Sequence, residues 1–145
     1  MLKINKLADY GLVVMSCLAQ QTRPLNARGV TELTHLSLPT VKKVLKLLAR
    51  AGLLVSVRGA QGGYALARTP ELISLSCVLV ALDGELSITD CSQAAGLCMV
   101  EHFCGIRHNW KMINQLFQKI LNDITLADML KPKMKLNVCL PETVS

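Results

Sequence analysis

The segment from Ser37 to Arg50 constrains the fold most, because its apolar residues recur at helical spacing and its basic residues fill the opposite face. Ser37 is a favourable N-cap, and Pro39 falls in the first turn, where its missing N–H costs nothing. Such a helix needs a folded domain to cover its apolar face. The apolar positions are Val41, Val44, Leu45 and Leu48, and the basic positions are Lys42, Lys43, Lys46 and Arg50.

The segments around this helix predict a helix-turn-helix followed by a wing. Two amphipathic helices precede it, and two short strands joined by a glycine-rich turn follow Gly52, which supplies the C-terminal stop. We therefore predict a mainly α fold, with a winged helix-turn-helix domain and a small two-stranded wing in residues 1–83. The predicted elements are helices over Ile4 to Ala19, Ala27 to His35 and about Leu75 to Leu82, strands over Leu53 to Val57 and Tyr64 to Ala67, and a turn over 58–63, with Tyr64 packing the wing on the core.

The second half of the chain is predicted to contain an irregular loop, a long helix and a tail. Residues 84–107, which we call the cysteine loop, show neither helical nor strand periodicity. Residues 108–130 contain an amphipathic helix of about 14 residues from Asn109 onward, and its apolar stripe needs a partner. Residues 131–145 show little pattern and are predicted to form a flexible tail. The stripe consists of Trp110, Ile113, Leu116, Phe117, Ile120 and Leu121.

The charge balance favours a nucleic-acid partner. The chain has 16 Lys and Arg against 10 Asp and Glu, which gives a formal net charge of +6 and a pI near 9.2. Only 3% of its residues are aromatic. A single-strand binder that stacks bases on aromatic side chains is therefore disfavoured, and double-stranded DNA is the predicted partner.

The N-terminal region has some features of a targeting segment. The apolar run from Gly11 to Ala19 follows Lys3 and Lys6, but Asp9 and the helical periodicity argue against a signal peptide. No stretch approaches the roughly 20 apolar residues that span a bilayer. We therefore expect a cytoplasmic protein without a membrane partner, whose six cysteines are thiols or metal ligands rather than disulfides.

The start of the basic helix is predicted to read DNA bases in the major groove. There Ser37, Thr40 and Lys42 can reach base edges, while Lys43 and Lys46 are better placed for phosphates. The alternative is that the lysines are only the solvated face of a helix, which would be the better interpretation for an isolated basic helix. The order of helix, turn, helix and basic wing favours DNA binding.

Two further regions complete the predicted DNA interface. Arg28, at the start of the preceding helix, is a candidate phosphate contact. Arg58 stands on a thin glycine-rich turn, which suits insertion into a narrow minor groove. Gln61 in the same turn is a further candidate DNA contact.

Three cysteines in the cysteine loop form a candidate metal site. Cys91, Cys98 and Cys104 are separated by six and then five residues. Thiolates are soft ligands that suit iron–sulfur clusters or zinc, and structural zinc sites usually use closer pairs, so the spacing mildly favours a larger cluster. Unligated thiols are the less favoured alternative, because free cysteines generally prefer buried positions. Cys17 and Cys77 are predicted to be such buried residues, each on the apolar side of a helix.

Three thiolates are one ligand short of the usual four. Asp9, His102 and His108 are candidates for the fourth position. Each also has an ordinary interpretation as a solvent-facing residue. From the residues alone the choice among them stays open.

The sequence argues against an enzyme. It contains no Cys-x-x-Cys pair and no nucleophile with a paired base and an orienting group. A protein-interaction module built on the long helix would leave the basic wing without a purpose. A DNA-binding regulator is the interpretation that uses both halves of the chain.

Together these residues resemble the Rrf family of winged-helix transcriptional regulators, over about Leu2 to Leu130. The segment from Cys104 to Trp110, with Ile113 and Asn114 after it, is most similar to the branch that regulates the SUF system of iron–sulfur cluster assembly. The most specific matching motifs are Lys6-Leu-Ala-Asp-Tyr-Gly, Leu47-Leu-Ala-Arg-Ala-Gly-Leu, Val57-Arg-Gly-Ala-Gln-Gly-Gly-Tyr-Ala-Leu-Ala, Thr89-Asp-Cys91 and Ile124-Thr-Leu-Ala-Asp.

The resemblance implies a homodimer in which the long helix crosses its counterpart, a minor-groove role for Arg58, and a [2Fe-2S] or [4Fe-4S] cluster on the three cysteines. Some family members take their fourth ligand from a histidine three residues after the last cysteine, which here is Arg107, with His108 one place later. Others use an acidic residue near the N-terminus, donated across the dimer, and Asp9 matches that position. Asp9 is therefore preferred over His108.

The function that the resemblance implies is a DNA-binding repressor of iron–sulfur cluster assembly genes that senses through its cluster. Two alternatives keep the same fold. One is a regulator that responds to nitric oxide or oxidants, and the other is a regulator whose cysteines bind zinc or act as bare thiols.

Overall fold

The computed structural model describes residues 4–134, and its elements follow the predicted order. Side-chain caps fix the starts of the first three helices, because Asn5, Asn26 and Ser37 each accept a hydrogen bond from a backbone N–H in the first turn. The elements are α1 (Lys6–Ala19), α2 (Ala27–Thr34), α3 (Leu38–Arg50), β1 (Leu54–Val57), β2 (Gly63–Leu66), a 3-10 turn (Pro70–Leu72), α4 (Leu75–Asp83), α5 (Asp90–Gln93), α6 (Arg107–Asp123) and α7 (Leu126–Met129).

The buried faces of α1, α3 and α4 meet in one apolar core. All four predicted apolar positions of α3 are fully buried, so the predicted amphipathic pattern of this helix is confirmed. Each such side chain contributes about 1.5 to 3 kcal/mol through its burial. The basic face of α3 is consequently directed away from the domain. The other fully buried positions of these helices include Ala8, Val14, Met15 and Val78.

The helix-turn-helix depends on a tight turn at His35. This residue has the left-handed conformation, with φ 58° and ψ 15°, and its N–H donates to the carbonyl of Thr31 at 2.9 Å. A left-handed residue ends α2 and lets the chain reverse within three residues, after which Ser37 caps α3. α2 thus ends at Thr34, one residue before the predicted end, and His35 belongs to the turn.

The wing is an antiparallel pair of β1 and β2, with Leu54 opposite Leu66 and Val57 opposite Gly63. A third segment joins it, because Leu25 and Tyr64 exchange two backbone hydrogen bonds of 3.0 and 2.7 Å. This bridge fastens the wing to the residues that precede α2. Tyr64 is half-buried against the core, as predicted.

The long helix α6 packs on α4 and is held by polar contacts to the cysteine loop. Asn114 is buried and its Oδ1 accepts from the N–H of Ile88 at 2.9 Å, while Gln118 donates to the carbonyl of Leu86 at 2.8 Å. After α6, an isolated bridge between Ser74 and Thr125 ties the chain back to the start of α4. The cysteine loop is therefore anchored to α6 along its first part.

Two features of the second half of the chain differ from the sequence prediction. α6 has 17 residues and begins at Arg107, two positions before the predicted start. The cysteine loop contains the short helix α5, which is too brief to produce a periodic pattern. Of the predicted tail, only residues 131–134 are described, and 135–145, with Cys139, lie outside the described residues.

Within residues 4–134, none of the helices combines the length and apolar character needed to cross a membrane.

Candidate DNA interface and cysteine site

The charge of the chain is unevenly distributed. Residues 1–83 carry ten Lys and Arg against four Asp and Glu, whereas residues 84–145 carry six of each. The whole net charge of +6 therefore belongs to the winged helix-turn-helix half. An anionic partner is expected on that half, and the second half is electrically neutral.

The basic face of α3 is free to meet a ligand. Lys42, Lys43 and Lys46 are exposed, and within residues 4–134 no carboxylate forms an ion pair with them. The hydroxyls of Ser37 and Thr40 lie 2.8 Å apart, and Ser37 Oγ also accepts from the Thr40 N–H at 3.4 Å. The two hydroxyls thus form the N-terminal cap of α3, at the end where side chains were predicted to reach base edges.

The predicted wing residues are also exposed. Arg58 and Gln61 lie on the turn between β1 and β2, which the N–H of Gly62 closes by donating to the carbonyl of Gly59 at 3.0 Å. Arg28 is exposed in the first turn of α2. It lines a groove of about 620 Å³ together with Gln61, so α2 and the wing turn border the same space.

The three predicted ligand cysteines differ in burial. Cys91 is buried in α5, with its Sγ 3.3 Å from Thr89 Oγ1, while Cys98 and Cys104 are half-buried. In the described part of the chain, no group of three or more His, Cys, Asp and Glu side chains is positioned to hold a metal. By their chemistry the three thiols suit an iron–sulfur cluster.

The three candidate fourth ligands are all exposed. Asp9 is exposed on α1, beside a groove that Met129 also lines, and His102 and His108 are exposed in and just after the cysteine loop. Within residues 4–134, none of them is part of a group of three or more potential metal ligands.

A buried carboxylate that was not predicted from the sequence forms polar contacts within the cysteine loop. Glu101 is 5% exposed; it accepts a hydrogen bond from the Gly96 N–H at 2.5 Å and forms an ion pair with Arg107. The Gly96 hydrogen bond, followed by the charges of Arg107, His102 and Lys111, holds the pKa of Glu101 below its usual range although burial opposes this. Glu101 therefore stays ionised at neutral pH.

The remaining cysteines correct one prediction. Cys17 is half-buried on α1, and burial raises the pKa of its thiol. Cys77, predicted to be buried, is exposed on α4 and accepts from Ser74 Oγ at 3.1 Å. The buried stripe of α4 instead consists of Leu75, Val78, Leu79 and Leu82.

The apolar stripe of α6 is only partly covered by its own chain. Of its predicted members, Leu121 is buried, Ile113 is 48% exposed and the others are half-buried. Met112 beside it is also exposed. The described residues thus leave an apolar surface along the first half of α6.

Known proteins with similar sequences and structures are transcriptional regulators. A family model described as Rrf2, iron-dependent transcriptional regulator, matches residues 4–132. The HTH-type transcriptional regulator IscR of Vibrio campbellii is 28% identical over 139 residues, which cover 94% of this chain and 82% of that protein. The solved structure of T. potens IscR is 34% identical, with a TM-score of 0.69 and coverage of 89% and 86%. CymR, described as the global cysteine regulator of B. subtilis, is 28% identical, with a TM-score of 0.71 and coverage of 90% and 97%.

Proposed function

We propose that this chain, which belongs to the Rrf2 family of DNA-binding transcriptional regulators and is not an enzyme, represses genes for iron–sulfur cluster assembly. The observation that carries the proposal is the set of three cysteines in a loop that leads directly into α6. The family description, an iron-dependent transcriptional regulator, supports iron as the metal. The site of action is the cytoplasm, where such genes are transcribed.

The residues that would hold a [2Fe-2S] or [4Fe-4S] cluster are Cys91, Cys98 and Cys104. Asp9 of a second copy is the proposed fourth ligand, ahead of His108. When bound, a cluster supplies iron–thiolate bonds that join distant positions of the cysteine loop. The exposed position of Asp9 on α1 leaves it accessible to another chain.

A homodimer formed through α6 is the second part of the proposal. Its support is the apolar stripe that the described residues leave partly uncovered, since water-exposed apolar surface of this kind usually marks an interface. A dimer also presents two α3 helices to the two half-sites of one operator.

The chain itself connects the cysteine loop to the DNA interface. Arg107 is both the ion-pair partner of Glu101 and the first residue of α6, and α6 packs on α4, which packs on α1 and α3. A conformational change in the cysteine loop can therefore move α6 and alter the distance between the two α3 helices of the dimer. A coupling free energy of about 1 to 3 kcal/mol would change operator affinity about 5- to 150-fold.

Anaerobic purification tests the metal. We expect a coloured protein with iron and sulfide in about equal amounts and without zinc. Cys98→Ser should lose the iron and sulfide, whereas Cys77→Ser, which changes an exposed cysteine outside the loop, should retain both. A colourless wild-type protein that contains zinc, or no metal, would contradict the cluster.

A second candidate function is a regulator that responds to nitric oxide or oxidants, or one whose cysteines bind zinc or act as bare thiols in place of the cluster. It is favoured by the thiols of Cys98 and Cys104, which are half-buried and free in the described structure. The similarity to the cysteine regulator CymR also supports it. A metal-free protein whose DNA affinity changes on thiol oxidation would establish this function instead.

Arg58→Ala tests the proposed role of the wing. A narrow minor groove attracts arginine, so the wild-type protein should prefer a duplex with an A-tract over a G·C-rich duplex of equal length. We expect the variant to bind about tenfold more weakly and to lose this preference. Fluorescence anisotropy measures both affinities. Arg58→Lys, which keeps the charge, should recover part of the affinity, and an unchanged preference in Arg58→Ala would exclude the minor-groove role.

A further inference from the structure

Two open grooves flank the wing and share the segment 21–24. The first, of about 620 Å³, lies between the start of α2 and the wing turn, and Arg23 and Arg28 line it. The second, of about 460 Å³, lies between the end of α1 and the residues after β2, and Arg23 and Arg68 line it. Arg23 therefore connects two grooves that each contain another arginine.

The Leu25–Tyr64 bridge brings these arginines together. The bridge is antiparallel, so the segment before α2 runs alongside β2 and Arg23 lies beside the end of that strand. Arg68 follows the end of β2 and lines the same groove as Arg23. Arg28 follows in the first turn of α2. We call the three residues Arg23, Arg28 and Arg68 the arginine flank.

The arginine flank forms no ion pair in the described structure. All three side chains are exposed, and no carboxylate within residues 4–134 forms an ion pair with them. Glu32, the one acidic residue that lines either groove in this part of the chain, is also unpaired. Three exposed guanidinium groups around adjoining grooves give this surface a positive charge that favours an anionic ligand.

We infer that the arginine flank binds the phosphate backbone of DNA beside the segment contacted by α3 and the wing. The inference rests on the DNA-binding function of the chain and extends it to Arg23 and Arg68. A guanidinium presents a planar fork of N–H donors that matches phosphate oxygens. Because these residues lie outside the recognition helix and the wing turn, their contribution is to affinity and orientation rather than to base recognition.

The salt dependence of DNA binding tests this inference. Affinity for a mixed-sequence duplex is measured by anisotropy between about 50 and 200 mM salt, where each phosphate contact contributes about 0.9 to the slope of log K against log salt. The double variant R23A/R68A should reduce the slope by about 1.8 per chain. The variant R23K/R68K keeps both charges and should retain the wild-type slope.

A matched control removes two lysines from the neutral half of the chain. K119A/K133A changes two exposed residues and should leave the slope unchanged. The inference is overturned if R23A/R68A keeps the wild-type slope, or if the control loses as much slope as R23A/R68A. Failure of the wild-type protein to bind any duplex would instead refute DNA binding itself, and the inference with it.

Discussion

Gly63→Ala is expected to lower the free energy of unfolding by about 2 to 3 kcal/mol and to weaken duplex binding. A Cβ atom at this position would lie less than 3.0 Å from the carbonyl carbon and oxygen of Leu25 and from the backbone nitrogen of Asn26. Backbone atoms cannot rotate away as the end of a side chain can. The substitution must therefore break the two Leu25–Tyr64 hydrogen bonds, each worth about 1 kcal/mol, and displace the wing that carries Arg58.

Urea unfolding measures the effect as a lower midpoint at an unchanged slope. Gly105→Ala is the matched control, because a Cβ there meets no atom within 4 Å and the residue has no left-handed φ. It should stay within about 0.5 kcal/mol of the wild-type protein. A Gly63→Ala protein as stable as this control would show that the bridge does not hold the wing.

The helix-turn-helix and the wing could be predicted because local patterns determine them. The apolar spacing in α3, the cap at Ser37 and the glycine-rich turn around Arg58 each act within a few residues. The Leu25–Tyr64 bridge joins positions 39 residues apart through a single pair of residues, and no sequence pattern in either segment predicts it. The arginine flank depends on this bridge, which is why Arg23 and Arg68 were not among the predicted contacts.

The prediction for Cys77 was wrong because α4 is apolar on nearly all sides. Its exposed positions include Val80 as well as Cys77, so hydrophobic spacing could not identify the face that packs on α1. Residue type also favoured a buried cysteine. The packing of α4 against α1 and α6 decided the face, and that packing is tertiary information.

The buried Glu101 in the cysteine loop was not predicted, for a different reason. Glu101 lies in an aperiodic segment, where a carboxylate is normally solvated, and its burial depends on Arg107 and the Gly96 N–H. These partners lie five and six residues away, and no periodic pattern links them to Glu101. Arg107, three residues after Cys104, is the residue that pairs with Glu101.

Glu101→Gln is expected to release the cysteine loop from its fixed conformation. The amide can still accept from the Gly96 N–H, but it removes the negative charge that pairs with Arg107. The Nε of Arg107 is already buried without a hydrogen-bond partner among the described residues, so the guanidinium would lose its main compensation for burial. The Gly96 amide should therefore exchange its hydrogen about tenfold faster or more at neutral pH.

Hydrogen exchange at Gly96 gives the first readout, and the fluorescence of Trp110, the single tryptophan of the chain, gives the second. Trp110 lies in the first turn of α6, and its carbonyl accepts from Ser92 Oγ of α5 at 3.5 Å, so it borders the loop. Glu85→Gln is the matched control, because Glu85 is an exposed carboxylate of the same loop that forms no ion pair within residues 4–134. If Glu101→Gln matched this control in both readouts, the ion pair with Arg107 would be incidental to the loop. A difference confined to Glu101→Gln would instead show that the ion pair with Arg107 holds the loop in its conformation.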